Sequence, residues 1–586
     1  MTTNHLPIRI WLLLWIGISA ILIFTGWDNI AARSGWDPDD QLRMVQLRDF
    51  LNGQSWFDIT QYRMNAPDGA PMHWSRFIEL PLAAIVFALS PLIGQPAAEM
   101  AAGTIVPLIG LGLTALLLGQ IAMRLAGRHA GIIAIILTFL SPAILMQFRP
   151  MRIDHHGWQI MMACLALATI FWPNRQRAGI TLGLALAVWL HISLEGAPMT
   201  TAFFVLLGWR WIFEKAQGRR LLWTIITFAL ASFLLFFGTQ RSGIFAATYC
   251  DTISPPHLYA VAAAALIMLP AIAKAPKNWR VRLAIAATAG AAAGGVLLML
   301  APQCTGGAFA GLDPLVRQYW YAHISEGLPV WHQGLQSAAA LLAAPACGLV
   351  AILMLRKPQD GKANSEKRVA AFFLLYAFAL ALLVFRTVSV TSAYAIPLVA
   401  ALIVTLFARY RKSNNAARRI GMVAVMLALF IPGNLAQKLV GSFSPPDNAA
   451  AETPARAANK LCESSTSIAA LGALKDAYFA APFDMGPMIL LTTSHKVLAS
   501  SHHRNEAAMH DHIEIFRSSA DKSRAIIAKR RITHIAACAS EAEMTGYVKT
   551  DPKGLWARLS KGDAPDWLQA MPDAGDGIKV WRVRQR

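Results

Sequence analysis

RIDHHGWQIMMACLALATIFWPNRQR, residues 152–177, sets a charged pentapeptide against an apolar run and closes on the basic pair Arg175 and Arg177. The apolar part, near 157–173, is long enough to be read as one crossing of a bilayer, whose hydrocarbon core of about 30 Å takes roughly 20 helical residues. It has twelve counterparts, near 10–26, 99–123, 130–148, 178–192, 197–213, 221–238, 258–273, 281–301, 333–355, 369–385, 391–408 and 420–436. Runs this long and continuous read as helices, because a backbone in lipid must satisfy its own hydrogen bonds. A further apolar run, 77–94, is shorter and broken by Pro81 and Pro91.

The composition agrees. Across 586 residues, 55% are apolar and 15% charged, with a mean hydropathy of +0.44, values that exclude a water-soluble chain. A net charge of +20 could mark a nucleic-acid binder, but the basic residues sit in short clusters between apolar runs. These are Arg124/Arg128, Arg175/Arg177, Lys215/Arg219/Arg220, Lys274/Lys277/Arg280/Arg282, Arg356 to Arg368 and Arg409 to Arg419. They fall in every second loop when 77–94 does not cross, which is the positive-inside pattern of a membrane protein. The expected topology has about thirteen spans, a cytoplasmic N-terminus, and 77–94 lying as a helix on the outer side. The charge reports topology, and no nucleic-acid partner is expected. Arg9 and Ala31-Ala32 flank the first run as in a signal peptide; with twelve spans following, an uncleaved anchor is expected.

After Pro445-Pro446 the composition turns mixed, so the expected domains are 1–446 in the membrane and 447–586 as an outer α/β domain. Within 1–446, residues 27–98 form the first outer loop and 302–332 a mobile one. In the outer domain, Met488 to Leu491 and Ile532 to Ala537 read as strands and 521–531 as a basic helix. Six cysteines exclude a disulfide scaffold, and the lack of a Cys-x-x-Cys pair excludes zinc ribbons and thioredoxin chemistry. Cys250, Cys304, Cys462 and Cys538 all fall on the outer side, which permits disulfides 250–304 and 462–538. Cys164 and Cys347 read as packing residues within spans.

The residues suited to chemistry share that outer side. Asp37, Asp39 and Asp40 follow the first span; Asp154, His155 and His156 precede the fourth; Glu326 lies in the outer loop 302–332. Asp37, Asp154, His156 and Glu326 offer oxygens and one imidazole, a set suited to Mg²⁺ or Mn²⁺. Carboxylates beside hydrocarbon are costly and mark function. Glu195 reads equally as a helix-end carboxylate or a functional group. Arg386 lacks acidic neighbours in sequence and suits a lipid phosphate. His495, His502, His503, His510 and His512 fit no compact ligand pattern and read as a polar surface.

Asp37-Pro-Asp-Asp-Gln-Leu-Arg with Ala66-Pro-Asp-Gly-Ala-Pro-Met-His-Trp74 resembles the first outer loop of the oligosaccharyltransferase catalytic subunit, in its archaeal and bacterial single-subunit forms. Asp154-His155-His156 resembles that family's second acidic motif, and Ile324-Ser325-Glu326-Gly327-Leu328-Pro329 its Ser-Val-Ser-Glu loop motif. The resemblance implies a mainly α GT-C fold with a C-terminal extracytoplasmic α/β domain, in a bacterial inner membrane with that domain periplasmic. It implies a glycosyltransferase acting on a polyprenyl-(di)phosphate sugar donor, with Asp37, Asp154, His156 and Glu326 on the metal, Asp37 and Glu326 orienting or activating the acceptor, and Arg386 on the donor phosphate. The family's arginine itself would fall near Val390, one turn beyond Arg386. The acceptor would be a protein, a glycan or a lipid. The family's sequon-reading Trp-Trp-Asp-Tyr-Gly corresponds here to Pro482-Phe483-Asp484-Met485-Gly486, so Phe483, Asp484, Met485 and Gly486 are the expected acceptor contacts, without the tryptophans that read an Asn sequon. The rival readings are a transporter or flippase, which needs mid-span charges and broken inverted repeats, and a non-catalytic relative of the enzyme.

Overall fold

The computed structural model describes residues 6, 8–240, 245, 247–355, 361–443, 462 and 464–584. The expected boundary at Pro445-Pro446 and the start of the basic cluster at Arg356 lie outside them. The chain forms two compact units, one of 1–27, 103–310 and 325–448, the other of 28–102, 311–324 and 449–586.

The first unit is helical. Eight of the chain's described helices are long and apolar enough to cross a membrane, nine if one bent pair counts as a span. One of the eight, Arg76–Ile93, belongs to the second unit and covers the run 77–94. Each of the thirteen apolar stretches read from sequence carries helix, yet two are interrupted. The run 130–148 stops at Leu140, where Ser141-Pro142 starts the short helix Pro142–Leu145. The run 420–436 divides into Ala416–Ala428 and Pro432–Gly441, bent by 94°. Both breaks precede a proline, which cannot donate to the helix ladder and starts a new first turn instead.

The basic clusters also cap helices. Asn174, Asn278 and Asn415 accept backbone N–H groups at the starts of Arg175–Ile192, Trp279–Leu300 and Ala416–Ala428. Arg220 donates to the carbonyls of Ile170 (2.7 Å) and Trp172 (2.8 Å), and Arg282 to that of Ile212 (2.9 Å). Positive groups thus meet the negative ends of the helices His156–Ile170 and Ala197–Phe213. Gly179 and Gly183, four apart, bring Arg175–Ile192 against Gly218–Thr239 so closely that a Cβ on Gly179 would lie 2.5 Å from the Arg220 carbonyl. Cys250 and Cys304 are disulfide-bonded with Cα atoms 5.1 Å apart, while Cys164 and Cys347 are free thiols.

The second unit is built on a five-stranded sheet of order β2-β1-β3-β5-β4, from Tyr478–Ala480 (β1), Lys496–Val497 (β2), His534–Ala537 (β3), Leu568–Ala570 (β4) and Lys579–Val583 (β5). β1 runs parallel to β2 and β3; β5 is antiparallel to β3 and β4. Residues from the first loop extend it. Met64 bridges Val497, whose amide donates to Arg63 O and whose carbonyl accepts from Asn65 N, both at 2.9 Å. Strand 532–537 and helix 521–531 are found as β3 and Ala520–Arg530. Met488 to Leu491, expected as a strand, instead lies in the helix Met485–Thr492. All four side chains are buried, so the run has neither a period of 2 nor of 3.6 to separate strand from helix. Cys462 joins Cys538, Cα atoms 6.1 Å apart, just past β3. Residues 311–324 pack here as well: Val316 is fully buried, and Tyr319 stacks on Tyr547 and donates to Asp551 (3.1 Å).

Candidate active site

In the first unit the chemistry-bearing residues gather at helix ends opposite the basic clusters. Asp154 stands just before the helix His156–Ile170, whose N-cap is His155: one carboxylate oxygen accepts the His156 backbone N–H at 2.9 Å. The other accepts from His156 Nδ1 at 2.7 Å and Arg152 Nη2 at 2.9 Å. Burial would raise the Asp154 pKa, but the Arg152 guanidinium and the His156 ring hold it well below the carboxylate range. The ring's other nitrogen, Nε2, is buried with no hydrogen-bond partner among the described residues. Asp154, His155 and His156 each place one ligand atom within 4.8 Å of the others. Arg152 and Gln159 escaped the sequence reading. Both carried a signal, two residues before Asp154 and one turn after His156.

Glu195 rises on a one-turn helix begun by Ser193, accepts from Gln159 Nε2 at 3.3 Å, and pairs with Arg386 Nη1. Gln159 is fixed in turn by Trp189 Nε1, at 3.2 Å. Burial works to raise the Glu195 pKa, but Arg386, His155, His156 and the Gln159 hydrogen bond together outweigh it and bring it to about 2. Arg386 Nη2 also reaches Glu326 Oε1, at 3.3 Å. Arg386 therefore has two acidic neighbours in space where the sequence shows none nearby. Glu326 stands exposed on the turn Ser325–Gly327, and Leu328 O accepts the amide of Phe385, tying that turn to the one bearing Arg386. At Gly327 a Cβ would sit 3.2 Å from Arg386 Nη2, so a larger residue would crowd the pair.

In the second unit, Asp37 is the N-cap of Pro38–Leu51, accepting the Asp40 amide at 3.1 Å. Asp40 is buried and accepts the Trp36 amide at 2.9 Å. Of the four residues expected at the acceptor, Phe483, Met485 and Gly486 are buried and Asp484 is exposed. Phe483 donates its amide to Glu543 at 2.8 Å and rests on the His512 ring, while a Cβ on Gly486 would meet Ala499 O at 2.7 Å. The helix that follows is held at its carbonyl end by two arginines of the first loop. Arg48 donates to Leu491 O (2.7 Å), and Arg63 to Leu490 O (2.7 Å) and Thr493 O (2.9 Å). Arg48 is itself fixed by buried Glu99, at 2.9 and 2.7 Å. The five histidines of 495–512 are not one surface. His495 bonds Leu471 O, His502 pairs with His73, His510 with Asp313 and His512 with Glu543; His495, His502 and His512 are buried.

No family model matches the chain, and no curated protein sequence does. Solved structures do. The oligosaccharyltransferase AglB of Archaeoglobus fulgidus, in complex with an inhibitory peptide and a dolichol-phosphate, is similar at a TM-score of 0.63 and 13% identity, over 99% of this chain and 74% of that one. The same organism's oligosaccharyltransferase in complex with Zn and sulfate is similar at 0.57 and 14%, over 95% and 71%. ArnT from Cupriavidus metallidurans follows at 0.40 and 13%, over 97% of both chains. The likeness to the first two is one of fold, and that fold is the GT-C membrane architecture with an α/β domain after it.

Proposed function

We propose that the protein is a membrane glycosyltransferase that moves a sugar or oligosaccharide from a polyprenyl (di)phosphate to an acceptor on the face of the membrane opposite the basic loops. The observation that carries this reading is the grouping of Asp154, His156, Glu195, Glu326 and Arg386 at one end of a helical unit whose fold is that of an oligosaccharyltransferase. The A. fulgidus structures hold dolichol-phosphate in one case and Zn in another, which supports a lipid-linked donor and a divalent ion here.

The residues fit a cation. A buried imidazole nitrogen with no partner among the described residues, oriented by a carboxylate on its far nitrogen, is the arrangement metal-binding histidines use. His156, Asp154 and Glu326 would hold Mg²⁺ or Mn²⁺; Asp37 joins the set on its motif resemblance, with its carboxylate already ordered as a helix cap. Bound there, the ion would neutralise phosphate charge and make the polyprenyl phosphate a better leaving group. Asp154 keeps the His156 tautomer fixed. Glu195 keeps Arg386 extended, and Arg386 would bind the donor phosphate through the guanidinium edge that now meets Glu326. Asp37 and Glu326 would accept hydrogen bonds from the acceptor nucleophile. That nucleophile bonds to the sugar's anomeric carbon as the carbon–oxygen bond to phosphate breaks, and its proton passes to a carboxylate or to solvent. Asp484, the exposed member of its segment, would contact the acceptor.

The test uses purified protein with a polyprenyl-diphosphate oligosaccharide pool and a sequon peptide, in Mn²⁺ and then in EDTA. Metal-dependent glycopeptide would establish protein N-glycosylation. Metal-dependent loss of the donor without glycopeptide would keep the chemistry and point to another acceptor. A donor untouched under both conditions would sink the proposal.

A further inference from the structure

The last apolar stretch ends in a helix with three distinct faces. Pro432–Gly441 follows Ala416–Ala428 at 94°, so a preceding helix that crosses the bilayer leaves it running along the membrane plane. Gly433 faces Leu335–Met354, and a Cβ there would lie 2.6 Å from Ala340 O. Ile431, Leu435, Leu439 and Phe443, spaced four apart, form a second face that is 47%, 43%, 64% and 82% exposed. Asn434, Gln437 and Lys438, also exposed, form a third. The helix before it also exposes apolar residues, Ile420, Val423 and Leu427.

Depth points the same way. Ala340 is five residues inside the end of Leu335–Met354 that carries Gln336, about 7.5 Å along a helix. Gly441 lies beside Gln336 itself, where a Cβ would be 3.5 Å from the amide. Amphipathic helices lying in a membrane surface bury their apolar face about 5–10 Å into the headgroup boundary.

We propose that Pro432–Gly441 is an interfacial helix whose partner is the lipid surface opposite the basic loops, with Leu435 and Leu439 in the acyl region and Asn434 and Lys438 among the headgroup phosphates. The full chain carrying Cys347→Ser, with Leu435→Cys, Lys438→Cys or Leu439→Cys added singly, would be nitroxide-labelled and reconstituted in 3:1 phosphatidylethanolamine–phosphatidylglycerol vesicles. Collision with oxygen and with a water-soluble nickel complex reports where each label sits. At Leu435 and Leu439 the oxygen-to-nickel ratio should exceed that at Lys438 by about fivefold or more, as expected across a headgroup boundary. Equal, high nickel access at all three would place the helix in water and overturn the proposal. Low access to both reagents at Leu435 and Leu439 would mean that a second copy or another protein covers the stripe, and would overturn it too.

Discussion

Asp154 does two jobs with one carboxylate: it takes the first amide of a helix and it fixes the ring of the second residue after it. Asp154→Asn keeps that amide contact but weakens the Arg152 pair and the hold on Nδ1. Because Asp154 is also a proposed ligand, Mn²⁺ affinity should fall by at least the about 10–100-fold that loss of an outer partner of a metal-binding histidine costs, in protein that still purifies as a folded species; unchanged affinity would remove Asp154 from the site. His534 offers a test that needs no substrate. Burial, with Arg582 and His495 adding to it, lowers its pKa from the ordinary 6.5 to about 4. The unfolded chain takes up this proton first, so the group's contribution is intact above about pH 6.5 and is lost as pH falls toward 4. His534→Gln should therefore shrink the drop in Tm between pH 7 and pH 5, by roughly 2–4 °C. An unchanged drop would place the acid sensitivity elsewhere. At this scale the sequence was legible where a residue type is costly in its setting, as with Asp154 beside an apolar run. It was not legible where a partner is distant, as with Glu195 and Arg386, 191 residues apart.

Among the elements, Met485–Thr492 depends most on groups far from it in sequence. Its last carbonyls accept from Arg48 and Arg63, cations at the negative end of a helix dipole. Charge-assisted hydrogen bonds of this kind are worth about 1.5–3 kcal/mol each. Arg63→Ala should speed amide exchange across 485–492 while leaving that of β3 and β5 unchanged; equal exchange in both regions would show that the clamp adds nothing. The helix was misread as a strand because burial on every side erased its period. The long spans were legible because length and hydropathy alone identify them. The breaks at Pro142 and Pro432 needed the packing around them, since membrane helices often carry proline without breaking, as Val388–Lys412 does at Pro397.

For the molecule as a whole, the pairing of residues 63–65 with Val497 puts both on the same side of the membrane. The number of crossings between them must then be even. If each of the twelve apolar stretches from 99–123 to 420–436 crosses once, the number is even, and a crossing by Arg76–Ile93 would make it odd. Length and hydropathy allow that crossing; parity argues against it. Ser55→Cys and Gln95→Cys should accordingly both react with a membrane-impermeant thiol reagent from one side of sealed vesicles, and labelling from opposite sides would refute this. The Cys462–Cys538 link closes 76 residues of the second unit, and its loss through a Cys462→Ser/Cys538→Ser double variant should cost about 4 kcal/mol. A Tm unaffected by the double variant would show that the link is dispensable.

The same edge pairing bears on how the chain is made. Arg63 to Asn65 leave the ribosome more than 400 residues before the strand they will join, so the first loop must wait, its edge open, through insertion of every intervening helix. Contacts of such separation form late and slowly. The terminal domain has the complementary need. Cut free as a soluble fragment, it would bare the β2 edge and lose the arginines that hold Met485–Thr492, becoming a sticky and incomplete reagent. Assembly of the sheet is therefore finished only when β2 returns to the loop made long before it.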